Sequence, residues 1–202
     1  MNNVTLTADV NSKVNLVKSI ANKTRGPYTP EKYGIYQSVG DTTGPGGVMR
    51  ALRTIPQMEV IAKAVKACCP KAWVINYTNP MAMLSGFMQR YTPVKTVGLC
   101  HSVQVCSETL LNKLDMADRL EGRKELIAGI NHMAWLLEIT DKKGNDLYPE
   151  IRRLAKAKNA DHKHSDMVRF DYIDKFGYYC TESSEHNAEY NPFFIKSRYT
   201  YA

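Results

Sequence analysis

Apolar residues recur at three- and four-residue steps through Val48, Leu52, Ile55, Met58, Ile61, Ala62 and Val65, the spacing that lines side chains along one face of a helix. This pattern predicts a long amphipathic helix over 48–69, behind a glycine- and proline-rich run, 40–47, that reads as a flexible loop with exposed backbone. The apolar run Ala72-Trp73-Val74-Ile75-Asn76-Tyr77 has the length of a strand. Asn79-Pro80 then opens a helical stretch over 81–91, and 94–100 returns to strand character. Strand, helix, strand makes a βαβ unit, which implies a parallel sheet and a right-handed crossover. Beyond it, 102–114 fits a helix, a strand centres on Ala134-Trp135-Leu136-Leu137-Glu138-Ile139, and Lys142-Lys143-Gly144-Asn145 reads as a turn. A helix over 167–178 is closed by Gly177 as a C-cap. Residues 1–28 are polar, with weak helical periodicity around Val14, Leu16, Val17 and Ile20, and run into the turn-prone Gly26-Pro27-Tyr28-Thr29-Pro30.

The fold class expected is therefore α/β. Three parts are expected: a divergent lead-in over 1–30, a part over 31–115 that carries the parallel sheet, and a part over 116–202. With 202 residues and 44% hydrophobic content the chain can bury a sizeable core. Its formal net charge of +7 raises the question of an acidic partner. The lysines and arginines are scattered, however, and no basic stripe interleaves with aromatics, so no nucleic-acid partner is expected. Five cysteines, an odd count without a CxxC pair, point to a reducing compartment rather than a disulfide framework. The first ten residues lack the basic flank and apolar run of a secretory signal, and no window approaches the ~20 apolar residues of a membrane span. A cytoplasmic protein with no membrane partner is the expectation.

Ligand-capable side chains fall at strand ends, where open parallel sheets bind their ligands. Asn79 follows the first strand of the βαβ unit, and Cys100-His101 closes the second. Asn131-His132 precedes the later apolar strand. A thiolate and an imidazole can meet on one divalent metal, a pairing that suits several first-row ions and leaves coordination positions open. Taken singly, each has a plainer reading: a cysteine ending an apolar strand is usually a core filler, and a solitary histidine usually an interior hydrogen-bonding residue.

Five segments in order change that balance. They are 40–56, beginning Gly40-Asp41-Thr42-Thr43-Gly44-Pro45-Gly46-Gly47; Asn76-Tyr77-Thr78-Asn79-Pro80-Met81-Ala82-Met83; Val97-Gly98-Leu99-Cys100-His101-Ser102-Val103-Gln104; Ala128-Gly129-Ile130-Asn131-His132-Met133-Ala134-Trp135; and Gly177-Tyr178-Tyr179-Cys180-Thr181-Glu182-Ser183-Ser184-Glu185-His186. Together, from about residue 33 to 196, they resemble the NAD- and manganese-dependent glycoside hydrolases of family 4, and the Cys-His-Ser-Val variant is similar to the α-galactosidase (melibiase) branch.

The resemblance implies that 31–115 are the C-terminal part of a Rossmann-like domain, a partial Rossmann-like parallel sheet, and that 116–202 are the beginning of an α+β substrate and metal domain. It also implies hydrolysis of α-galactosides by a redox-elimination route, with NAD and Mn2+ or another divalent metal as cofactors. It implies Cys100 and His132 as metal ligands, with sugar hydroxyls and water completing the shell. His101 takes the place of the acid for the departing group, or otherwise of a hydrogen-bonding neighbour of the metal site. Asn79, His101 and Asn131 fall among the groups that bind substrate and cofactor, and Asn79 can also cap the helix that follows it. Tyr172 is placed as the catalytic base. Glu182, Glu185 and His186 form a polar cluster that either helps hold the sugar or the metal shell or is a solvated turn.

The family's N-terminal dinucleotide loop and its C-terminal part have no counterpart in the motifs above, so the chain is expected to be a fragment. Such a chain would act as part of a homo-oligomer or with a complementing chain. The alternative is a non-catalytic remnant or subunit that binds metal or a partner chain. A compact dehydrogenase would need 40–47 as its dinucleotide loop, but that run lacks G-x-G-x-x-G and follows no clear strand.

Overall fold

The computed structural model describes Thr42 and residues 44–195. The readings of 1–30 as a lead-in and of most of 40–43 as a loop lie outside the described residues. Helix α1 runs Gly44–Cys68, strand β1 Trp73–Asn76, helix α2 Met81–Tyr91 and strand β2 Lys95–Gly98. β1 and β2 pair in parallel, with Trp73 opposite Lys95 and Asn76 opposite Gly98. This is the βαβ unit expected from the sequence. Its core is a cluster of Met58, Ala62 and Val65 from α1, Leu84 and Met88 from α2, and Val94.

The glycine-rich run is not a loop throughout. Its second half is the first turn of α1, and Gly47 is buried there. A Cβ on Gly47 would stand 2.6 Å from the Thr42 carbonyl carbon, so the chain entering the helix folds back against a residue with no side chain. Close backbone approach, rather than looseness, accounts for that glycine.

The helix expected over 102–114 is two pieces, α3 His101–Gln104 and α4 Cys106–Lys113, broken at Val105 (φ −103°, ψ 4°). A 3-10 turn at Ala117–Arg119 leads into a second sheet. There β3 Lys124–Ile130, β4 Met133–Thr140 and β5 Tyr179–Cys180 form an antiparallel sheet in the order β3-β4-β5. Helices α5 Tyr148–Asp161 and α6 Met167–Phe176 intervene, and α7 Ser184–Glu189 follows. Gly177 ends α6 in the left-handed conformation, φ 84°, as the sequence reading had it.

The fold is thus α/β, a parallel pair followed by an antiparallel sheet with helices. The larger core joins α4, β4 and α5 through Leu110, Leu111, Leu136, Ile139 and Ile151, all fully buried. No helix among the described residues is long and apolar enough to cross a membrane.

Candidate metal and sugar site

Three segments converge at one edge of the molecule. The first is the end of β2, where the chain leaves the sheet at Gly98 and delivers Cys100 as the residue preceding α3. The second is the β3–β4 hairpin. Ile130 pairs with Met133, so Asn131 and His132 form a two-residue loop, with His132 at φ 26°. Hairpin loops of that length favour positive φ, and His132 adopts it. The third is the segment after β5. Trp135 pairs with Cys180, and the Thr181 N–H donates to the Ala134 carbonyl at 2.9 Å. Continuing that antiparallel register brings Glu182 beside the hairpin loop.

The result is a compact donor group. One atom each from Cys100, His132 and Glu182 lies within 4.8 Å of the other two. His132 is 3% exposed. The Ser102 hydroxyl sits between two of these groups, 2.6 Å from Cys100 Sγ and donating to Glu182 Oε2 at 2.8 Å. Glu182 Oε2 is 3.3 Å from His132 Nε2, and Oε1 accepts the Ser183 N–H at 2.8 Å. Burial would push the Glu182 carboxyl up, but the Ser183 N–H and the neighbouring His132 and His186 outweigh it and hold the group below the ordinary carboxylate range. His132 Nδ1 meets the Tyr190 hydroxyl at 2.8 Å, which fixes the ring and leaves Nε2 facing the thiol and carboxylate.

The donor group borders a cleft of about 360 Å³ lined by Tyr77, Cys100, Ser102, Asn131, His132 and Thr181 among others. Both amide atoms of Asn131 are buried and have no hydrogen-bond partner among the described residues. A buried amide in a cleft without protein partners is disposed to meet a ligand's hydroxyls. A thiol, an imidazole and a carboxylate converging at this distance fit a divalent first-row metal.

Cys100, His132 and Asn131 are therefore brought together. His101 begins α3, exposed, its ring 4.6 Å from that of Tyr77, which lines the same cleft. Asn79 Oδ1 accepts the Met81 N–H at 3.3 Å, so its side chain serves the first turn of α2. Tyr172 lies elsewhere. It is 4% exposed in the cluster with Val168, Cys180 and Ala188. Its hydroxyl donates to the Asn187 carbonyl at 3.3 Å and accepts from the Asn191 amide at 2.6 Å. Burial pushes its pKa up to about 12. Tyr172 is not among the residues that line the cleft. Ser102 and Tyr190 escaped sequence reasoning. Of the polar cluster, Glu182 joins the donor group, whereas His186 donates its backbone N–H to Ser183, the residue that caps α7.

Comparison with known proteins places these residues in a lineage. The family 4 glycosyl hydrolase model matches residues 10–116, and the model for that family's C-terminal domain matches 127–201. An α-galactosidase of Bacillus subtilis (strain 168) is 61% identical over 170 residues, covering 84% of this chain and 38% of that enzyme. The crystal structure of lplD from Bacillus subtilis, described as a glucosidase, superposes with a TM-score of 0.70 at 30% identity, covering 87% of this chain and 44% of that one. A 6-phospho-α-glucosidase from gut microorganisms, solved in complex with NAD and Mn2+, shares the fold with a TM-score of 0.59 at 22% identity, over 80% of this chain and 38% of that one. This chain thus spans well under half the length of these relatives. With one family model matching more than half of it and the family's C-terminal model following in order, the chain belongs to family 4 of the glycosyl hydrolases.

Proposed function

We propose that this chain carries the metal-binding and sugar-facing portion of an α-galactosidase that works with NAD and a divalent metal, Mn2+ foremost. The observation that carries the reading is the convergence of the Cys100, His132 and Glu182 donors beside a cleft with an unpartnered amide. The 61% identity to an α-galactosidase supports α-galactosides as the substrate class.

In this reading Cys100 and His132 hold the metal, which supplies Lewis-acid polarisation of the sugar oxygens it binds. Tyr190 orients His132 through Nδ1, so that Nε2 is the ligating nitrogen. Asn131 offers one donor pair and one acceptor to adjacent sugar hydroxyls and so fixes the ring in the cleft. His101, exposed beside Tyr77 of the cleft, hands a proton to the departing oxygen. The described residues contain no glycine-rich strand-turn-helix to grip a dinucleotide. Assembly into a homo-oligomer or with a complementing chain is part of the same proposal.

The test is release of a chromogenic aglycone from an α-galactoside by the purified protein with Mn2+, NAD and a reductant, beside the same mixture lacking NAD. NAD-dependent release supports the reading. No release from a folded, metal-loaded sample supports a binding subunit or remnant instead.

A further inference from the structure

We propose that Glu182 is a third protein ligand of the metal centre, presented through Oε2 and held in place by Ser102 and the Ser183 backbone. The inference rests on the reading of Cys100 and His132 as ligands and extends it to a residue 82 positions from the first and 50 from the second.

The two carboxylate oxygens have different surroundings. Oε1 is tied down by the Ser183 N–H at 2.8 Å, with His186 Nδ1 at 3.8 Å. Oε2 is turned the other way, 3.3 Å from His132 Nε2, 3.8 Å from Cys100 Sγ and 2.8 Å from the Ser102 hydroxyl. Metal–donor bonds of about 2.0 to 2.3 Å place neighbouring ligand atoms about 3 to 4 Å apart. The nitrogen–oxygen and sulfur–oxygen separations fall within that span, so an ion reaching the thiolate and the imidazole also reaches Oε2 without rearrangement of the carboxylate.

The Glu182 side chain is 15% exposed, and the Cys100 thiol lies 3.8 Å from its Oε2. A Glu182–His132 ion pair accounts for one of these contacts, and the hydroxyl of Ser102 touches both Cys100 Sγ and Glu182 Oε2. Ser102 is then a positioning residue, its hydroxyl orienting two ligands at once. A thiolate, an imidazole and a carboxylate also make a harder donor set than a thiolate and an imidazole, which shifts preference from zinc toward manganese.

The experiment is Mn2+ titration of the 202-residue protein followed by the electron paramagnetic resonance signal of the free ion, for the unmodified chain and for Glu182→Gln, Ser102→Ala, Cys100→Ala and His132→Ala, each checked for folding by circular dichroism. Expected are Kd values for Mn2+ raised at least about 10-fold by Glu182→Gln and about 10-fold by Ser102→Ala, the scale on which even the hydrogen-bond partners of ligands act. An unchanged Kd in Glu182→Gln, with binding lost in Cys100→Ala and His132→Ala, overturns the role of Glu182 and leaves the two-residue centre standing. Unchanged binding in all the variants, or none by the unmodified chain, overturns both. Anomalous scattering from Mn2+-soaked crystals of the unmodified protein decides the matter without any variant: an ion about 2.0 to 2.2 Å from Oε2 supports direct ligation, and an ion on Cys100 and His132 but beyond bonding distance of the carboxylate refutes it.

Discussion

Replacing Asp166 with Ala is the sharpest test of how the second half of the chain is held together. Asp166 is fully buried just before α6. It accepts from Arg169 Nη2 at 3.0 Å, the Tyr179 hydroxyl at 2.6 Å and the Ser184 hydroxyl at 3.0 Å, and Lys113 Nζ is 3.3 Å away. Arg169 is itself only 5% exposed, with its guanidinium 4.3 Å over the Tyr179 ring. Removing the carboxylate strands that cation in the interior, a change that costs about 3–5 kcal/mol when one partner of a buried pair is lost. The Tyr179 hydroxyl, also buried, loses its acceptor at a further cost of about 1–3 kcal/mol, though neighbouring losses do not simply add. Against a typical domain stability of about 5–15 kcal/mol, the lower of these figures is a large fraction. Urea denaturation followed by far-ultraviolet circular dichroism should show the midpoint falling by roughly 1 M or more, taking slopes of about 1–3 kcal/mol per M. Glu59→Ala, which removes only the exposed Glu59–Lys63 pair on α1, should leave the midpoint in place. A midpoint for Asp166→Ala indistinguishable from that of Glu59→Ala would refute the claim that this network is a main support.

Three further outcomes follow from particular sites. Burial alone would raise the Asp166 carboxyl, but Arg169, Tyr179 and Lys113 overcome it and hold the group below the ordinary carboxylate range. A carboxyl depressed by folding contributes stability above its unfolded pKa of about 3.9 and loses that contribution as pH falls through its folded value. The difference in urea midpoint between the unmodified chain and Asp166→Ala should therefore narrow below about pH 4, and a gap constant from pH 5 downward would contradict it. Gly129, at φ 139°, has the Ala134 Cα 2.6 Å from where a Cβ would stand. Gly129→Ala should destabilise the hairpin that carries Asn131 and His132 by roughly 1–3 kcal/mol, read as a lower thermal midpoint, and a midpoint unchanged would show that the β3–β4 approach is looser than described. Burial pushes the Cys106 thiol up to about 12 and the Cys180 thiol up to about 11. Maleimide at pH 8 should modify the exposed Cys68 in the folded protein and spare both buried thiols until denaturant is added, which mass spectrometry of the peptides would show.

The parts of this fold legible in the sequence are those whose pattern is local. Helix α2 spans 81–91 as its spacing predicts, and β1, β2 and β4 fall within a residue or two of the apolar runs that announced them. Helix α5 gave little signal because its buried face is narrow, Tyr148, Ile151 and Ala155, amid Arg152, Arg153, Lys156 and Lys158. Strand β3 lacks the alternation of a half-buried strand, since six of its seven residues are exposed and the register shifts between Leu126 and Ile127. The Asp166 network was invisible because its members are satisfied only across α6, β5 and α7. The site divides in the same way. Cys100, Asn131 and His132 stood out by residue type at strand ends, whereas Ser102 and Tyr190 look like ordinary polar positions until the fold sets them beside the donors. Tyr172 packs its ring in an aromatic cluster with Trp135 and Phe176, away from the residues that line the cleft.

The buried network and the donor group are one mechanical unit. Arg169 donates to the carbonyls of Cys180 and Thr181, at 3.5 and 3.3 Å, so the guanidinium that Asp166 holds in turn holds the two residues leading to Glu182. The Cys180 thiol reaches the His132 carbonyl at 3.7 Å, and the Asn187 amide donates to the carbonyls of Glu182 and Ser183 at 2.8 and 3.0 Å. The backbone on both sides of the site is thereby fixed from the interior, and the side chains that face the cleft are presented from that held frame. Such support lets a short carboxylate and an imidazole from distant segments arrive at ligand spacing with little further ordering to do. It also means that lost metal affinity in an Asp166 variant would report a shifted scaffold, whereas lost affinity in Glu182→Gln with an unchanged urea midpoint would report the donor itself.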